Sequence, residues 1–107
     1  MVSAELIDDI KNKIVENFDP ERIILFGSHA EGRAGRDSDI DLFVEMESDL
    51  TPPERAIRIS KFFGIREWPM DLFVYTPDEV RKLRGRVGTL LYEIEDSGKV
   101  LYERKRN

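Results

Sequence analysis

Two aspartates separated by a single residue, Asp39 and Asp41, stand at the start of an apolar stretch of the chain. Side chains of a β-strand alternate between its two faces, so both carboxylates would lie on the same face. A third aspartate, Asp71, begins another apolar stretch. Neighbouring carboxylates repel unless a cation or a proton lies between them, and Mg²⁺ prefers oxygen ligands while leaving positions for water and phosphate. The three acids therefore predict a metal-dependent site for phosphoryl or nucleotidyl transfer.

A glycine–serine pair, Gly27 and Ser28, follows the apolar segment 22–26 and precedes the paired aspartates by ten residues. Gly27 leaves the backbone open to a ligand. Ser28 offers a hydroxyl and an amide N–H at a predicted helix amino terminus, which favours anions. Phosphoryl-type transfer depends mainly on positioning and charge neutralisation, and two metal ions can clamp the attacking and leaving oxygens. We therefore expect this turn to hold phosphates beside the acid-bearing strands.

The periodicity of apolar side chains predicts the elements that position these residues. Strands are predicted at 22–26, 39–45, 70–75 and 99–103, and helices at 4–17, 52–63, 77–83 and 89–96, with a short helix after the glycine–serine turn. Ser3, Thr51 and Thr76 stand where helix N-caps are expected. The predicted fold class is α/β (α+β), a small mixed β-sheet flanked by helices that we expect on one side of the sheet.

Size and charge restrict the classes of function. With 107 residues and 40% hydrophobic content, the chain is expected to form one domain, residues 1–107. No apolar run is long enough to cross a bilayer, no signal peptide is recognisable at the amino terminus, and there is no cysteine. We therefore expect a cytoplasmic protein without membrane contact. A net charge of −5 argues against direct nucleic-acid binding.

The stretch 25–42, which contains Gly27-Ser28, ten intervening residues and Asp39-x-Asp41, resembles the signature of the polymerase-beta-like nucleotidyltransferase superfamily. Within it, the stretch is most similar to the minimal nucleotidyltransferases, the MNT or MntA-like proteins. The resemblance implies the nucleotidyltransferase fold, with two Mg²⁺ ions bound by Asp39 and Asp41. It also implies that Asp71 completes the metal site and helps to deprotonate the attacking hydroxyl, and that Gly27 and Ser28 hold the β- and γ-phosphates of ATP.

The same resemblance implies a partner and an acceptor. Members of this kind often pair with an all-helical HEPN protein as antitoxin and toxin, and transfer AMP to a tyrosine of the HEPN ribonuclease. On this basis a hetero-oligomer is possible. Arg33 and Ser38, which lie in the matching stretch, are further candidates for nucleotide binding. Arg33 and Arg36 either steer the triphosphate or simply face water.

Several alternatives stay open at the level of sequence. His29 stands where many relatives have Arg, and it is either a phosphate-side donor or a helix-surface residue. Asp71 could be only a turn residue at the start of a strand. The protein could also be a non-catalytic module that occludes its partner, although such a module has no reason to keep three converging acids. A small-molecule adenylyltransferase is the third alternative, but those enzymes usually carry an additional substrate domain.

Overall fold

The computed structural model describes residues 3–35, 38–66 and 68–105. These residues form four helices, α1 (Ala4–Phe18), α2 (Pro52–Phe63), α3 (Pro77–Leu83) and α4 (Leu90–Ser97), and four strands, β1 (Arg22–Phe26), β2 (Ile40–Glu45), β3 (Met70–Tyr75) and β4 (Lys99–Glu103). The bounds of β1, β3 and β4 are those predicted. The predicted short helix is a single 3₁₀ turn, Gly27–His29, and β2 begins one residue later than predicted, which leaves Asp39 just outside it.

Hydroxyl side chains set the starts of the helices. Ser3, Thr51, Thr76 and Thr89 each accept a hydrogen bond from a backbone N–H of the following turn. At α2 and α3 the hydroxyl is part of a reciprocal capping box with a glutamate, and a proline occupies the first helical position. The three predicted caps are thereby confirmed. Thr89 caps α4 instead of being its first residue.

The four strands form one mixed sheet in the order β3-β2-β1-β4. β2 and β3 are parallel, whereas β1 is antiparallel to both β2 and β4. In this register Asp41 lies directly opposite Asp71 on one side and opposite Phe26 on the other. The pairing brings the acids predicted from separate strands to the same end of the sheet. It also confirms the predicted fold class.

Helices cover both faces of the sheet, so the prediction of helices on one side was wrong. Side chains of α1 and α2 pack on one face and those of α3 and α4 on the other. The residues on the first face are Ile10, Ile14, Ile23, Leu25, Leu42, Val44 and Ile59, and those on the second are Ile24, Phe43, Val80, Leu91 and Ile94. The physical reason is that β1 and β2 are apolar at consecutive positions, so each strand needs cover on both sides.

Within the part of the chain that the structure describes, none of the helices has the length and apolar character needed to span a membrane.

Candidate active site

The three predicted acids come together at the end of the sheet where β2 and β3 begin. Asp41 on β2 is paired in register with Asp71 on β3. Asp39 and Asp71 interact electrostatically with one another and with Asp41. Asp39 and Asp71 are exposed, whereas Asp41 is half-buried. The cluster is thus open to solvent on one side and supported by the sheet on the other.

The electrostatics of the cluster favour a bound positive charge. Burial raises the pKa of Asp41, and the negative charges of Asp71 and Asp39 raise it further, against a smaller lowering by His29. Burial also raises the pKa of Asp71, together with the charge and the hydrogen bond of Asp39. A group whose pKa is raised by neighbouring carboxylates is stabilised by either a proton or a cation.

The donor set suits Mg²⁺ in chemistry, because carboxylate oxygens are the ligands that this ion prefers. In the described part of the chain, however, no three His, Cys, Asp or Glu side chains stand close enough together to hold a metal ion as they are. The carboxylates of Asp39, Asp41 and Asp71 would therefore have to draw closer around a metal. Asp39 and Asp71 are exposed, so their side chains have room to rotate.

Gly27 lies against the acid cluster, in a position that disfavours any side chain. Its φ is +72°, a left-handed conformation that side chains disfavour, and a Cβ at this position would clash with Oδ2 of Asp41. The carbonyl of Gly27 accepts hydrogen bonds from the N–H groups of Ala30 and Glu31, each at 3.1 Å. Ser28, which follows, is half-buried. The turn predicted to hold phosphates therefore contacts a predicted metal ligand directly.

A hydrogen bond between this turn and the acid-bearing segment was not predicted. Nε2 of His29 lies 3.2 Å from the carbonyl oxygen of Ser38, the residue that precedes Asp39. The Ser38 hydroxyl accepts a hydrogen bond from the N–H of Gly35 at 2.8 Å. His29 lies in the 3₁₀ turn and is half-buried, so its side chain is not fully exposed to solvent. Its imidazole connects the two halves of the candidate site.

Of the two arginines predicted to steer the triphosphate or face water, the structure describes one. Arg33 is exposed and forms a salt bridge with Glu31 at 3.3 Å. Arg36 and its neighbour Asp37 lie outside the described residues.

Two aromatic side chains border the acids. Phe26 stands opposite Asp41 across β1 and β2, and Phe73 is two residues from Asp71 on the same face. Their ring centroids are 5.3 Å apart in an edge-to-face arrangement, and both residues are half-buried. Alternation along β3 could have placed Phe73 beside Asp71, whereas the position of Phe26 depends on the antiparallel register of β1 with β2.

Comparison with known proteins gives a consistent result. The family described as "Polymerase beta, Nucleotidyltransferase" matches residues 8–107. A comparison with curated proteins finds no match.

Solved structures agree with the family match at the level of fold. A Sulfolobus solfataricus protein assigned to the nucleotidyltransferases is 21% identical, with a TM-score of 0.64 over 94% of this chain and 79% of that one. A toxin–antitoxin structure with AMP-PNP is 24% identical, with a TM-score of 0.60, and a mutant of the toxin–antitoxin MntA-HpeT is 21% identical, with a TM-score of 0.57. Each of these two matches covers 92% of this chain and 74% of the other.

Proposed function

Because the chain belongs to the polymerase beta nucleotidyltransferase family, we propose that it transfers AMP from ATP to a hydroxyl of a partner protein, in a Mg²⁺-dependent reaction. The acceptor would be a tyrosine of an all-helical HEPN-type toxin, and the chain would act as its antitoxin. The observation that carries this proposal is the meeting of Asp39, Asp41 and Asp71 beside the Gly27 turn.

Each residue of the cluster has a role in this reaction. The tyrosine oxygen attacks the α-phosphorus of ATP, the bond to the pyrophosphate oxygen breaks, and the phenolic proton is lost. Asp39, Asp41 and Asp71 would hold Mg²⁺, which neutralises charge on the phosphate oxygens when it is bound. Asp71 is exposed at the start of β3 and would receive the acceptor's proton. The Gly27 and Ser28 turn would hold the β- and γ-phosphates, and the reaction would use two Mg²⁺ ions.

The openness of the site supports a macromolecular acceptor. Small-molecule sites usually bury most of their ligand's surface, whereas Asp39 and Asp71 are exposed. An acceptor hydroxyl presented on another protein can reach such a surface without an enclosing pocket. The likeness to a toxin–antitoxin structure with AMP-PNP supports the same choice of nucleotide and partner.

A second candidate is an antitoxin that occludes its partner without catalysis. The observation in its favour is that the three carboxylates do not stand as a closed set of metal ligands among the described residues. The two candidates make opposite predictions about labelling of the partner.

The deciding experiment incubates the purified chain with Mg²⁺ and α-labelled ATP, alone and with the product of an adjacent gene, and follows intact mass and label. The proposed function predicts a gain of one or more AMP units on the neighbour. That gain should disappear in an Asp39→Asn/Asp41→Asn variant and persist in an Asp9→Asn/Asp49→Asn control. Both control acids are exposed, Asp9 on α1 and Asp49 after the end of β2 opposite the site. A stable complex without any transfer would establish the occluding antitoxin instead.

A further inference from the structure

The outer edge of β3 offers unpaired backbone groups beside the candidate active site. β3 is an edge strand, since β2 is its only hydrogen-bonded neighbour among the described residues. The Ile40 N–H donates a hydrogen bond to the Pro69 carbonyl, and the Met46 N–H donates one to the Tyr75 carbonyl. These bonds show that the backbone N–H and C=O groups of the odd-numbered residues along β3 point toward β2. The peptide groups of the even-numbered residues therefore face outward. Among these, Leu72 lies immediately after Asp71.

A groove of about 450 Å³ follows this edge. Its walls are the first turns of α2 on one side and α3 on the other, with β3 between them. The lining residues on the helices are Pro52, Pro53, Ala56, Glu79 and Leu83, and those on the strand are Leu72, Phe73, Val74 and Tyr75. Apart from Glu79 the lining carries no charged side chain, so the groove suits an apolar occupant.

The single charge of the groove is already compensated. Arg55 is buried and donates from Nη1 to a carboxylate oxygen of Glu79 at 2.7 Å and to the outward carbonyl of Val74 at 3.1 Å. Hydrogen bonds from Arg55 hold the pKa of Glu79 below its ordinary value, against the effect of burial. Phosphate groups are therefore not attracted to the groove. Arg55 also closes the edge at Val74, which leaves the open part next to Asp71.

Open backbone groups and apolar walls together specify the occupant as an extended polypeptide, because only such a chain satisfies both. A second copy of this chain fits poorly. Antiparallel pairing of two β3 edges through Leu72 would place their Asp71 side chains diagonally across the pair, about 7–8 Å apart. Two uncompensated acid clusters would then face the same side of one sheet and repel. A segment without acids has no such penalty.

We infer that the groove along β3 is the docking site for an extended, apolar segment of the acceptor protein, which pairs with the edge at Leu72 and leads the acceptor residue to Asp71. This inference rests on the proposed transfer to a protein hydroxyl. It adds the surface that selects the protein and the direction from which the acceptor arrives.

The test measures binding without metal or nucleotide, so that its outcome is independent of catalysis. Random linear peptides displayed on phage are selected on the full chain and then titrated into isotope-labelled protein. Enriched peptides should be rich in β-branched and aromatic residues, and they should slow amide hydrogen exchange at Leu72 by about tenfold or more. The Asp39→Asn/Asp41→Asn variant should bind these peptides equally well, even though it is expected to lack transfer.

Two variants place a charge in the groove. Pro53→Glu changes an exposed wall residue in the first turn of α2, where an acid is compatible with the helix, and Ala56→Arg changes a second wall residue one turn further on. Each should weaken peptide binding by about tenfold or more. Ile57→Arg is the matched control, since Ile57 lies on the same helix, is 53% exposed and does not line the groove.

Each of the following results would overturn the inference. The selection yields no enriched peptides, or the enriched peptides bind the two charged variants as tightly as the parent protein, or they leave Leu72 exchange unchanged. Protection of Leu72 that rises with protein concentration in the absence of peptide would identify a second copy as the occupant. Absence of transfer by the parent protein, with peptide binding retained, would refute the proposed function while leaving the groove assignment intact.

Discussion

The two ends of β2 carry acids on the same face of the sheet, but in the part of the chain that the structure describes only the acids at one end pair with arginines. At the far end, Glu45 lies opposite Arg22, whose Nε donates to it at 2.7 Å. Arg22 also reaches Glu95 at 3.0 Å. At the near end, the position opposite Asp41 is held by Phe26, which has no charge to offer. Arginines thus pair with both glutamates at the far end, whereas among the described residues the near-end acids have only the smaller effect of His29 to oppose their repulsion.

This difference separates a structural cluster from a functional one. Although burial raises the pKa of Glu95, hydrogen bonds from Arg84 and Arg22 lower it overall, so the ionised form is favoured. At Asp41 burial and neighbouring acids act in the same direction and raise the pKa. A cluster of acids that repel one another does not stabilise the fold. The uncompensated end is where a ligand must supply the charge.

Removal of the near-end acids gives the largest expected effect on activity. Asp39→Asn together with Asp41→Asn should reduce transfer by about a thousandfold or more, because the metal loses two ligands. Folding should be unaffected or slightly improved. The pKa of Asp41 in the folded protein is raised above its ordinary value of 3.8. The parent protein therefore loses stability as the pH rises from the ordinary pKa through the raised one, and this loss is complete at neutral pH. Thermal denaturation across pH, alongside label transfer, measures both effects.

The Asp9→Asn/Asp49→Asn control should change neither transfer nor the pH dependence of stability. If the near-end variant still labels its acceptor, the metal assignment is wrong. A variant less stable than the parent at neutral pH would show that the near-end acids are compensated after all.

Loss of Arg22 is expected to have the largest effect on stability. Arg22→Ala would leave Glu45, 8% exposed, without its partner, and would also remove the contact of the guanidinium with the ring of Phe43. We expect a loss of about 3 kcal/mol in the free energy of unfolding, measured by denaturant titration. Transfer per folded molecule should be unchanged. Arg81→Ala, which breaks an exposed pair with Asp78, is the control and should change stability little.

A loss no greater than that of the control would mean that the far end is not a structural ion cluster. Reduced transfer in folded Arg22→Ala protein would mean that the two ends of β2 are coupled.

Two glycines with nearly equal backbone angles isolate the contact with Asp41. Gly27 and Gly32 have φ values of +72° and +73°, but an added Cβ clashes with Asp41 only at Gly27 and meets nothing within 4 Å at Gly32. Both Ala variants should lose about 1 kcal/mol of stability from the backbone conformation. Gly27→Ala should additionally reduce transfer by about a hundredfold, because it displaces a metal ligand. Equal transfer by the two variants would argue against the contact.

The near end was largely predictable from sequence, because short-range patterns determine its parts. Alternation along a strand relates Asp41 to its neighbours, and the position of Gly27 after an apolar strand indicates a turn. The parallel register of Asp41 with Asp71 depends on how α2 carries the chain from β2 to β3. Only convergence of the acids could be predicted, and not their pairing.

Long-range contacts were beyond the reach of the sequence patterns. The ion cluster at the far end joins residues up to 73 positions apart, Arg22 and Glu95, and no local pattern relates them. The packing of helices on both faces of the sheet could have been predicted, since Ile23, Ile24 and Leu25 are consecutive apolar residues. The hydrogen bond between His29 and Ser38 could not have been predicted from a sequence pattern, because its acceptor is a backbone carbonyl, which any residue can supply.

Removal of the hydrogen bond between His29 and Ser38 has the smallest expected effect, and it distinguishes a positioning role from a surface role for His29. His29→Ala should reduce transfer about fivefold, the equivalent of one hydrogen bond, because Asp39 is no longer fixed relative to the Gly27 turn. The Mg²⁺ concentration needed for half-maximal transfer should rise, while the melting temperature stays nearly constant. His29→Gln keeps a side-chain N–H donor and should recover most of the loss. If Gln performs no better than Ala, or if the Mg²⁺ requirement is unchanged in both, the hydrogen bond to Ser38 does not position the acids, and the near end is organised by the Gly27 contact alone.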